Sequence, residues 1–543
     1  AYEERRKLEE TLTEAIRAQN FTKAVQGLAK KYHALYPYGE LYEIYRAEQA
    51  LAEQRIGAAI RCAKAAYNKR KMSAVVGALL HRVYQAKGDY ANDLRFMALF
   101  DVPEPPRLPP SHTQLAQCLR SMTAACTDTR FAPVVNQVSL VGGTFSARPC
   151  AVICEELPRF SKKLPAYWAG IYNPYGQMHV REQILTHVNA VTTTYDLTMY
   201  NHFTFDLVQA EETSKIQLSP QKNTPVLIPI SARKEMQQVR FYNKQLDRVM
   251  MLSRGEFSFY RIDHPVTVCS NDSFIVGQPI ALQHSPKRKK VVLNILADGL
   301  SWQEMRRNHY ALIPNMMRFF NKGVIFDNQF STAEYTYPAL ASIETGIYQH
   351  KTQIAEPGKA FALDEAFVTV SEQMKRLGYY CVNIQGRSEG VYNGATRGYD
   401  RLIVNYWNMQ AADGVERTIR HLDAFEECDN FLFMHFSDTH PFNSDVATPE
   451  QVQTHLGMED LLQPQDMGAS VFLKPNPLSQ YVNREAIKEV DRQLGYLFDY
   501  ITSHYEDDEY IVLLYSDHGA SVYARSPYLL SEEQTGAALM ARG

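Results

Sequence analysis

The sequence lacks the features that mark membrane-spanning and nucleic-acid-binding proteins. In its 543 residues no apolar run approaches the roughly 18 residues that a helix needs to cross a bilayer. The formal net charge is only −3, so electrostatics favours neither nucleic acid nor an anionic membrane surface. The single tight basic run, residues 287–290, is typical of a solvated linker that leads into a strand. We therefore expect no transmembrane segment and no nucleic-acid partner.

Paired cysteines and a secretory signal are also missing. None of the eight cysteines belongs to a Cys-x-x-Cys pair, so zinc-finger spacing is absent. In a chain of this length such usage indicates reduced thiols, although the even count leaves disulfide bonds open. The first six residues, Ala-Tyr-Glu-Glu-Arg-Arg, contain no secretory apolar segment and no initiator Met. These features predict a cytoplasmic protein, either in solution or peripheral to a membrane. The missing Met leaves open that the amino terminus was processed or trimmed.

The sequence does contain enough apolar material for a large core, with 45% hydrophobic and 22% charged residues. Residues 1–102 are rich in Ala, Leu, Glu, Lys and Arg, with apolar side chains at helical spacing. Apolar residues at positions 21, 56 and 90 repeat at intervals of 35 and 34 residues, which resembles tetratricopeptide-like helical pairs. An ordinary helical bundle stays open. A helical array of this kind more often binds a partner protein than performs chemistry.

A proline-rich stretch predicts a linker at residues 103–111, because proline fixes φ and removes a backbone donor. Residues 112–286 then favour strands. Val134–Val141 precedes a Gly-Gly turn signal, and the runs Ala190–Tyr195 and Phe257–Tyr260 are rich in β-branched or aromatic residues. We interpret this region as a β-rich or mixed domain of unknown role, without a catalytic constellation.

Residues 287–543 favour an α/β/α domain with a mostly parallel sheet. The continuous apolar runs Val291–Ala297, Phe431–Met434 and Tyr510–Tyr515 suit strands that are buried on both faces. Helical stretches such as Ser371–Leu377 lie between them. Strands that alternate with helices along the chain imply a sheet covered by helices. The whole chain is therefore predicted to be multidomain, with a helical, a β-rich and an α/β region in that order.

A polar cluster follows each of these three apolar runs. The first run leads into Asp298, the second into Ser-Asp-Thr-His at residues 437–440, and the third into Ser-Asp-His-Gly at residues 516–519. In open α/β sheets the carboxyl ends of the strands meet at one crevice, where ligands bind. Carboxylates and imidazoles that converge there would suit a divalent cation such as zinc, manganese or magnesium.

Several motifs resemble the sulfatase-like branch of the alkaline phosphatase superfamily. Residues 295–302, Ile-Leu-Ala-Asp-Gly-Leu-Ser-Trp, resemble its opening strand, and residues 336–346, Thr-Tyr-Pro-Ala-Leu-Ala-Ser-Ile-Glu-Thr-Gly, resemble its nucleophile segment. Residues 439–442, Thr-His-Pro-Phe, are similar to its His-x-Pro-Phe element, and residues 516–519 to its metal-binding turn. The landmarks occur in the family's order and extend over residues 290–543.

The departures from that pattern are informative. Thr336 stands where sulfatases carry the Cys or Ser that is oxidised to formylglycine, and the methyl group on its Cβ prevents that oxidation. Leu340 replaces the family's Arg, and Gly299 replaces the second Asp of its Asp-Asp pair. Gln-Gly-Arg at residues 385–387 replaces Gly-Lys-Trp-His. The chain therefore looks less like a sulfatase than like phosphoethanolamine or phosphoglycerol transferases and lipoteichoic acid synthase-type enzymes, which use a Thr nucleophile.

This resemblance implies a role for each candidate residue. Thr336 is the catalytic nucleophile, whose hydroxyl a dication activates and which forms a phospho-threonine intermediate. His440 is the catalytic acid and base and also binds substrate, and Arg387 is a second substrate-binding clamp on the phosphate. The predicted ligands of one divalent metal ion, Zn, Mn or Mg, are Asp298, Thr336, Asp517 and His518.

Simpler roles stay open for several of these residues. Thr336 would also serve as a helix N-cap, a common position for Thr. Arg387 would also pair with a nearby carboxylate at the surface, and His518 would also satisfy a loop carbonyl. His435 and Asp438 are interpreted as supporting or structural residues.

The sequence thus predicts a metal-dependent phosphotransferase. It would move a substituted phosphate, of the phosphoglycerol or phosphoethanolamine type, from a phosphorylated donor to a glycan, a lipid-linked or a related acceptor. A phosphodiesterase or phosphatase of the same superfamily is the alternative. An inert scaffold that binds partners through the helical region is a third hypothesis, from another class. Because members of this family usually continue past the Asp-His-Gly turn, we also expect the chain to continue beyond Gly543.

Overall fold

The computed structural model of the protein describes most of the chain. The described residues are 2–127, 134–159, 162–173, 176–191, 204–221, 224–354, 361, 363–386, 397–405, 408–440, 450–462, 473–475, 477–525 and 530–543. Among the helices in these ranges, none combines the length and the apolar character that a bilayer crossing requires.

The amino-terminal region is helical, as predicted. Its helices are α1 (Tyr2–Arg17), α2 (Lys23–Leu35), α3 (Leu41–Ala52), α4 (Ile56–Lys69), α5 (Ala74–Lys87), α6 (Tyr90–Phe100) and α7 (His112–Cys126). Helices α2, α4 and α6 begin close to the positions of the 34- to 35-residue period. The tetratricopeptide-like assignment itself stays a prediction. Between α6 and α7 the proline-rich residues 101–111 form neither helix nor strand.

Local sequence explains where these helices stop and start. The Ser73 hydroxyl accepts a hydrogen bond from the Val76 amide and caps α5. Gly88 ends α5 with φ at +73°, a left-handed conformation that costs glycine little. The Asp89 carboxylate then accepts from the Asn92 amide at the start of α6. Short polar signals therefore separate consecutive helices that pack against each other.

The middle region contains strands, as predicted, and one helix. Its elements are β1 (Val134–Val141), β2 (Thr144–Ala151), β3 (Tyr167–Ile171), α8 (Met178–Val191), β4 (Thr204–Leu218), β5 (Val226–Ala232), β6 (Gln237–Tyr242), β7 (Asp247–Leu252), β8 (Ser258–Ile262), β9 (Val266–Gly277) and β10 (Ile280–Ala281). The predicted strand over 190–195 is wrong for Ala190 and Val191, which end α8. Residues 192–195 lie outside the described residues.

The carboxyl-terminal region alternates strands and helices, as predicted. Its strands are β11 (Val291–Ala297), β12 (Val324–Ile325), β13 (Tyr380–Gly386), β14 (Arg401–Asn405), β15 (Asn430–Phe436), β16 (Tyr510–Tyr515) and β17 (Leu539–Arg542). Its helices are α9 (Trp302–Arg307), α10 (Pro314–Phe320), α11 (Thr336–Thr345), α12 (Gln349–Thr352), α13 (Val370–Arg376), α14 (Ala411–Ala424), α15 (Glu450–Gln453), α16 (Met458–Leu461), α17 (Pro477–His504) and α18 (Glu532–Thr535).

One sheet joins the middle and carboxyl-terminal regions. Its parallel centre has the order β14-β13-β15-β11-β16, and β17 and β12 follow β16 in antiparallel pairing. At the other edge the first half of β4 pairs with β14, and its second half pairs with β9 of the middle region. The long strand β4 is therefore shared, and the middle region continues the sheet of the α/β region.

Strands β11 and β15 of the α/β region are buried on both faces along their whole length, which explains their continuous apolar sequence. On β11, Val291, Leu293 and Ile295 pack into one hydrophobic cluster together with residues of α10 and α17. Val292 and Leu296 point to the opposite cluster, which includes residues of α11. The sheet therefore has helices on both sides, and its carboxyl edge is the place where polar side chains emerge.

Candidate active site

Three neighbouring strands end together at the candidate site. Strand β11 lies between β15 and β16, and both pairings are parallel. In register, Leu296 lies beside His435 on one side and beside Tyr515 on the other. Because the strands end at almost the same level, Asp298 and the two predicted polar clusters emerge at one edge. The structure therefore brings the three segments together as the sequence predicts.

Backbone amides hold the Asp517 carboxylate in place, and a hydroxyl group holds the backbone of Asp298. Gly299 follows Asp298 with φ at +67°, so the chain turns sharply as soon as the strand ends. Its amide donates to Asp517 Oδ1 at 3.2 Å, and the His518 amide donates to the same oxygen at 3.0 Å. The Thr439 hydroxyl donates to the Asp298 carbonyl at 2.6 Å. The glycine that replaces a sulfatase carboxylate thus helps to orient Asp517.

Thr336 is the first residue of α11, and its hydroxyl faces the carboxylates. The N-cap of α11 is Tyr335, so the alternative that Thr336 caps the helix is wrong. Thr336 Oγ1 donates to Asp298 Oδ2 at 3.3 Å and lies 3.4 Å from His518 Nε2. The residue is only 8% exposed. The helix dipole at a helix amino terminus favours an anion, so a phosphate group would be stabilised beside this hydroxyl.

His518 and His440 surround the same carboxylate. His518 Nδ1 donates to the Gly519 carbonyl at 2.7 Å, which leaves Nε2 facing the site. That Nε2 lies 3.3 Å from Asp298 Oδ1 and 3.4 Å from Asp517 Oδ2. His440 Nε2 lies 4.0 Å from Asp298 Oδ1, and its side chain is 17% exposed. His440 is thus the more exposed of these two imidazoles.

The pKa values of the site reflect strong coupling between these groups. Burial alone would raise the pKa of Asp298, but His440, His435 and His518 hold it well below its usual value. Burial and the neighbouring Asp298 charge raise the pKa of Asp517. Burial opposes the charge on His518, yet both carboxylates raise its pKa to about 9. The charged form of the His518 imidazole is therefore stabilised by both carboxylates.

The donor set fits a divalent cation. Asp298, His440 and His518 offer ligand atoms that all lie within 4.8 Å of one another. Among the described residues, two buried carboxylate oxygens, Asp298 Oδ1 and Asp517 Oδ2, have no hydrogen-bond partner of good geometry. A buried acceptor without a partner costs about 1–3 kcal/mol, more when it is charged, and a cation between these oxygens would remove that cost. This set of three residues differs from the predicted ligand set, because it contains His440 in place of Asp517 and Thr336. All five side chains nevertheless border the same space.

His435, which we interpreted as a supporting or structural residue, contacts the predicted metal ligand Asp298 directly. Its Nε2 donates to Asp298 Oδ2 at 3.1 Å, and the side chain is fully buried. The signal in the sequence was a single imidazole within the otherwise apolar strand β15. Asp438 has the structural role predicted for it, since its Oδ2 accepts from the Ala411 amide at the start of α14. Burial raises the pKa of Asp438 to about 7.

Arg387, the predicted phosphate clamp, lies outside the described residues. Pro441 and Phe442, which complete the His-x-Pro-Phe element, lie outside them as well. The structure thus places five of the six predicted site residues together: Asp298, Thr336, His440, Asp517 and His518. Their individual roles stay predictions.

The family of the α/β region follows from comparison with known proteins. The family model described as Sulfatase matches residues 290–541. This part of the chain is therefore a sulfatase-family domain with an alkaline-phosphatase-like fold, in agreement with the motifs of the sequence. No curated protein matches the chain.

Solved structures show a distant likeness over the same half of the chain. A protein of the alkaline phosphatase superfamily from Vibrio parahaemolyticus is 17% identical with a TM-score of 0.32, over 48% of this chain and 61% of that chain. The putative sulfatase yidJ from Bacteroides fragilis is 17% identical with a TM-score of 0.34, over 48% and 69%. The carboxyl-terminal periplasmic domain of EcEptC from Escherichia coli, in complex with Zn, is 14% identical with a TM-score of 0.33, over 47% and 73%. This likeness does not define an activity for the chain.

Proposed function

We propose that the sulfatase-family domain is a metal-dependent phosphotransferase that works through a phospho-threonine intermediate. The observation that carries this proposal is the position of Thr336. Its hydroxyl lies 3.3 Å from one carboxylate and 3.4 Å from one imidazole, at the amino terminus of a helix. A secondary alcohol cannot become the formylglycine aldehyde of sulfatases, but it can attack phosphorus.

Asp298, Asp517 and His518 would hold the metal ion together with Thr336, and His440 borders the same space. A bound divalent cation would lower the pKa of the hydroxyl and offset negative charge on the phosphate oxygens. The Gly299 amide fixes the Asp517 carboxylate, and the Thr439 hydroxyl fixes the backbone carbonyl of Asp298, through the hydrogen bonds described above. The chain itself thus supplies a donor set that its own hydrogen bonds hold in place.

In the first half-reaction Thr336 Oγ1 gives its proton to solvent water and bonds to phosphorus, while the bond from phosphorus to the leaving oxygen breaks. His440 gives a proton to that leaving oxygen. In the second half-reaction His440 takes the proton from an acceptor hydroxyl. The acceptor oxygen then bonds to phosphorus, the bond from phosphorus to Thr336 Oγ1 breaks, and Oγ1 takes up a proton from solvent water. An alcohol acceptor makes the enzyme a transferase, and water makes it a phosphodiesterase.

The donor would carry a substituted phosphate of the phosphoglycerol or phosphoethanolamine type, and the acceptor would be a glycan, a lipid-linked or a related alcohol. The helical amino-terminal region would recruit a protein partner. The cytoplasmic location expected from the cysteine usage belongs to the same proposal.

The test uses purified protein, an aryl phosphodiester and added Mn²⁺, Zn²⁺ or Mg²⁺, with a chelated sample as the blank. We expect metal-dependent turnover that Thr336→Ala abolishes and Thr336→Ser retains in part. Thr345→Ala is the matched control, because Thr345 ends the same helix and donates only to the Ala341 carbonyl. Mass spectrometry of quenched enzyme should find the substituted phosphate on the peptide that contains Thr336.

Other outcomes would change the assignment. Full activity in Thr336→Ala would exclude the phospho-threonine intermediate. Turnover of an aryl sulfate in preference to the phosphodiester would instead indicate a sulfatase. Product that appears on an added glycan distinguishes a transferase, whereas product released only into water supports the phosphodiesterase alternative.

A further inference from the structure

The helical region contacts the sulfatase-family domain through one aromatic side chain. Phe361 follows α12 in the chain, yet it is buried in the hydrophobic cluster formed by helices α3 to α7. Its ring meets Phe100 of α6 edge to face, with the centroids 5.7 Å apart. A Cβ added to Gly77 of α5 would overlap the Phe100 ring, so the Phe100 side chain has little freedom to move. The contact is therefore tight on the helical side.

A buried charge accompanies this contact. Lys71, in the turn between α4 and α5, is only 2% exposed. Burial lowers the pKa of Lys71 to about 8, while the Asp364 carboxylate of the sulfatase-family domain raises it and the Arg397 guanidinium lowers it further. An ammonium group is buried only where the surrounding structure compensates it. Lys71 and Phe361 thus mark one junction between the two regions.

From this junction a buried polar network leads to the nucleophile helix. The Arg397 guanidinium donates to the carbonyl oxygens of Asp364 and Phe367. The Arg397 carbonyl in turn accepts from the Ser371 hydroxyl at 2.6 Å. The same Ser371 hydroxyl lies 3.4 Å from Glu344 Oε2 of α11.

Glu344 connects this network with Thr336. Its Oε1 accepts from the Tyr399 hydroxyl at 2.8 Å, and its carboxylate also accepts from the Ser371 backbone amide. Glu344 and Thr336 lie near opposite ends of α11, about 12 Å apart at the usual rise per residue. A short rigid helix transmits a displacement of one end to the other.

We propose that the helical region is a positioning brace for the nucleophile helix, acting through Phe361, Arg397 and Glu344. The inference rests on the proposed function only in taking Thr336 as the nucleophile. A nucleophile that moves by a fraction of an ångström loses its alignment with phosphorus, while the metal ligands on β11 and β16 stay in place. Loosening the brace should therefore lower kcat more than it changes KM or metal affinity.

The test compares the two sides of the junction with a matched control. Phe361→Ala removes the ring from the sulfatase-family side, and Gly77→Ala displaces Phe100 from the helical side. Leu12→Ala is the control, since Leu12 is equally buried but lies in a cluster of α1 to α3 that contains no described residue of the catalytic domain. Amide hydrogen exchange of residues 337–346 and steady-state kinetics are measured on the full chain.

We expect both junction variants to speed exchange in α11 and to lower kcat by between about tenfold and 100-fold, with KM changed by less than about threefold. Phe361→Leu should restore much of the protection and of the activity, and Leu12→Ala should change neither. If Phe361→Ala does not fold, Gly77→Ala and Phe361→Leu still decide the question.

Different results would refute the brace and the proposed enzymatic function. If α11 exchanges equally in Phe361→Ala, Gly77→Ala and Leu12→Ala, the brace is refuted whatever the activity. If the wild-type chain has no turnover, the proposed function is refuted, and the exchange of α11 still tests the brace.

Discussion

The carboxyl group of Glu344 should make the stability of helix α11 depend on pH. The residue is 2% exposed and has no cation among its close partners in the described residues. Burial raises the pKa of Glu344 from its ordinary value of 4.5 to about 7, although the hydroxyl groups of Tyr399 and Ser371 oppose the rise. The other titratable groups that act on Glu344 are Glu372, Tyr515, Tyr399 and Cys381.

The direction of the effect follows from the two pKa values. When α11 opens, Glu344 meets water and its pKa returns towards 4.5. Because the folded-state pKa is the higher one, the stabilising contribution of this group is fully present below the unfolded-state pKa. It is lost as the pH rises through the folded-state pKa. The loss corresponds to about 3 kcal/mol in the free energy of opening.

Hydrogen exchange of the α11 amides is the appropriate assay, since it reports local opening, whereas chains with several regions generally do not unfold in one step. Wild type and Glu344→Gln are compared at the same pH, so that the intrinsic exchange rate cancels. Between about pH 5 and about pH 8, the variant should gain about 3 kcal/mol of protection relative to wild type. Tyr399→Phe removes a donor to the carboxylate and should move the transition to higher pH. A difference between wild type and Glu344→Gln that stays constant with pH would refute the reasoning.

Three further results are expected. Asp298→Asn should weaken Mn²⁺ binding by at least about tenfold in a calorimetric titration, because it removes the charge at the centre of the site. His435→Leu should weaken the same binding by about tenfold to 100-fold with the far-ultraviolet spectrum unchanged, since it removes the donor that orients Asp298. Asp206→Ala should lower the stability of the sheet by about 3–5 kcal/mol in a urea titration that follows this domain, because Arg401 and Arg417 stay buried without their carboxylate.

The parts of the fold that could be predicted from the sequence are those governed by local pattern. The run Val291–Ala297 coincides with β11, because burial on both faces demands continuous apolar residues. The run Tyr510–Tyr515 coincides with β16, where buried and partly buried residues alternate. The prediction for Ala190 and Val191 failed for the opposite reason. Their β-branched neighbours favour a strand locally, but these two residues end α8.

In the candidate site, too, some residues could be placed from local sequence pattern and others could not. Asp298, Asp517 and His518 could be predicted to meet, because all of them directly follow strands and parallel strands end at one edge. Thr336 does not follow a strand, and only the resemblance to a known family placed it. The structure supplies the missing reason, since α11 packs on the sheet through Leu340 and directs its first residue to that edge.

The shared strand β4 gives the middle region a physical role that its composition did not reveal. Asp206 of β4 is buried and receives Arg401 of β14 at 2.6 Å and Arg417 of α14 at 2.8 Å. Two buried guanidinium groups of the sulfatase-family domain thus depend on a carboxylate from outside the region that the family model matches. Composition changes near residue 287, but hydrogen bonding and charge continue across that point. The middle region therefore closes an edge of the sheet of the α/β region, which would expose both unpaired charges and an open strand without it.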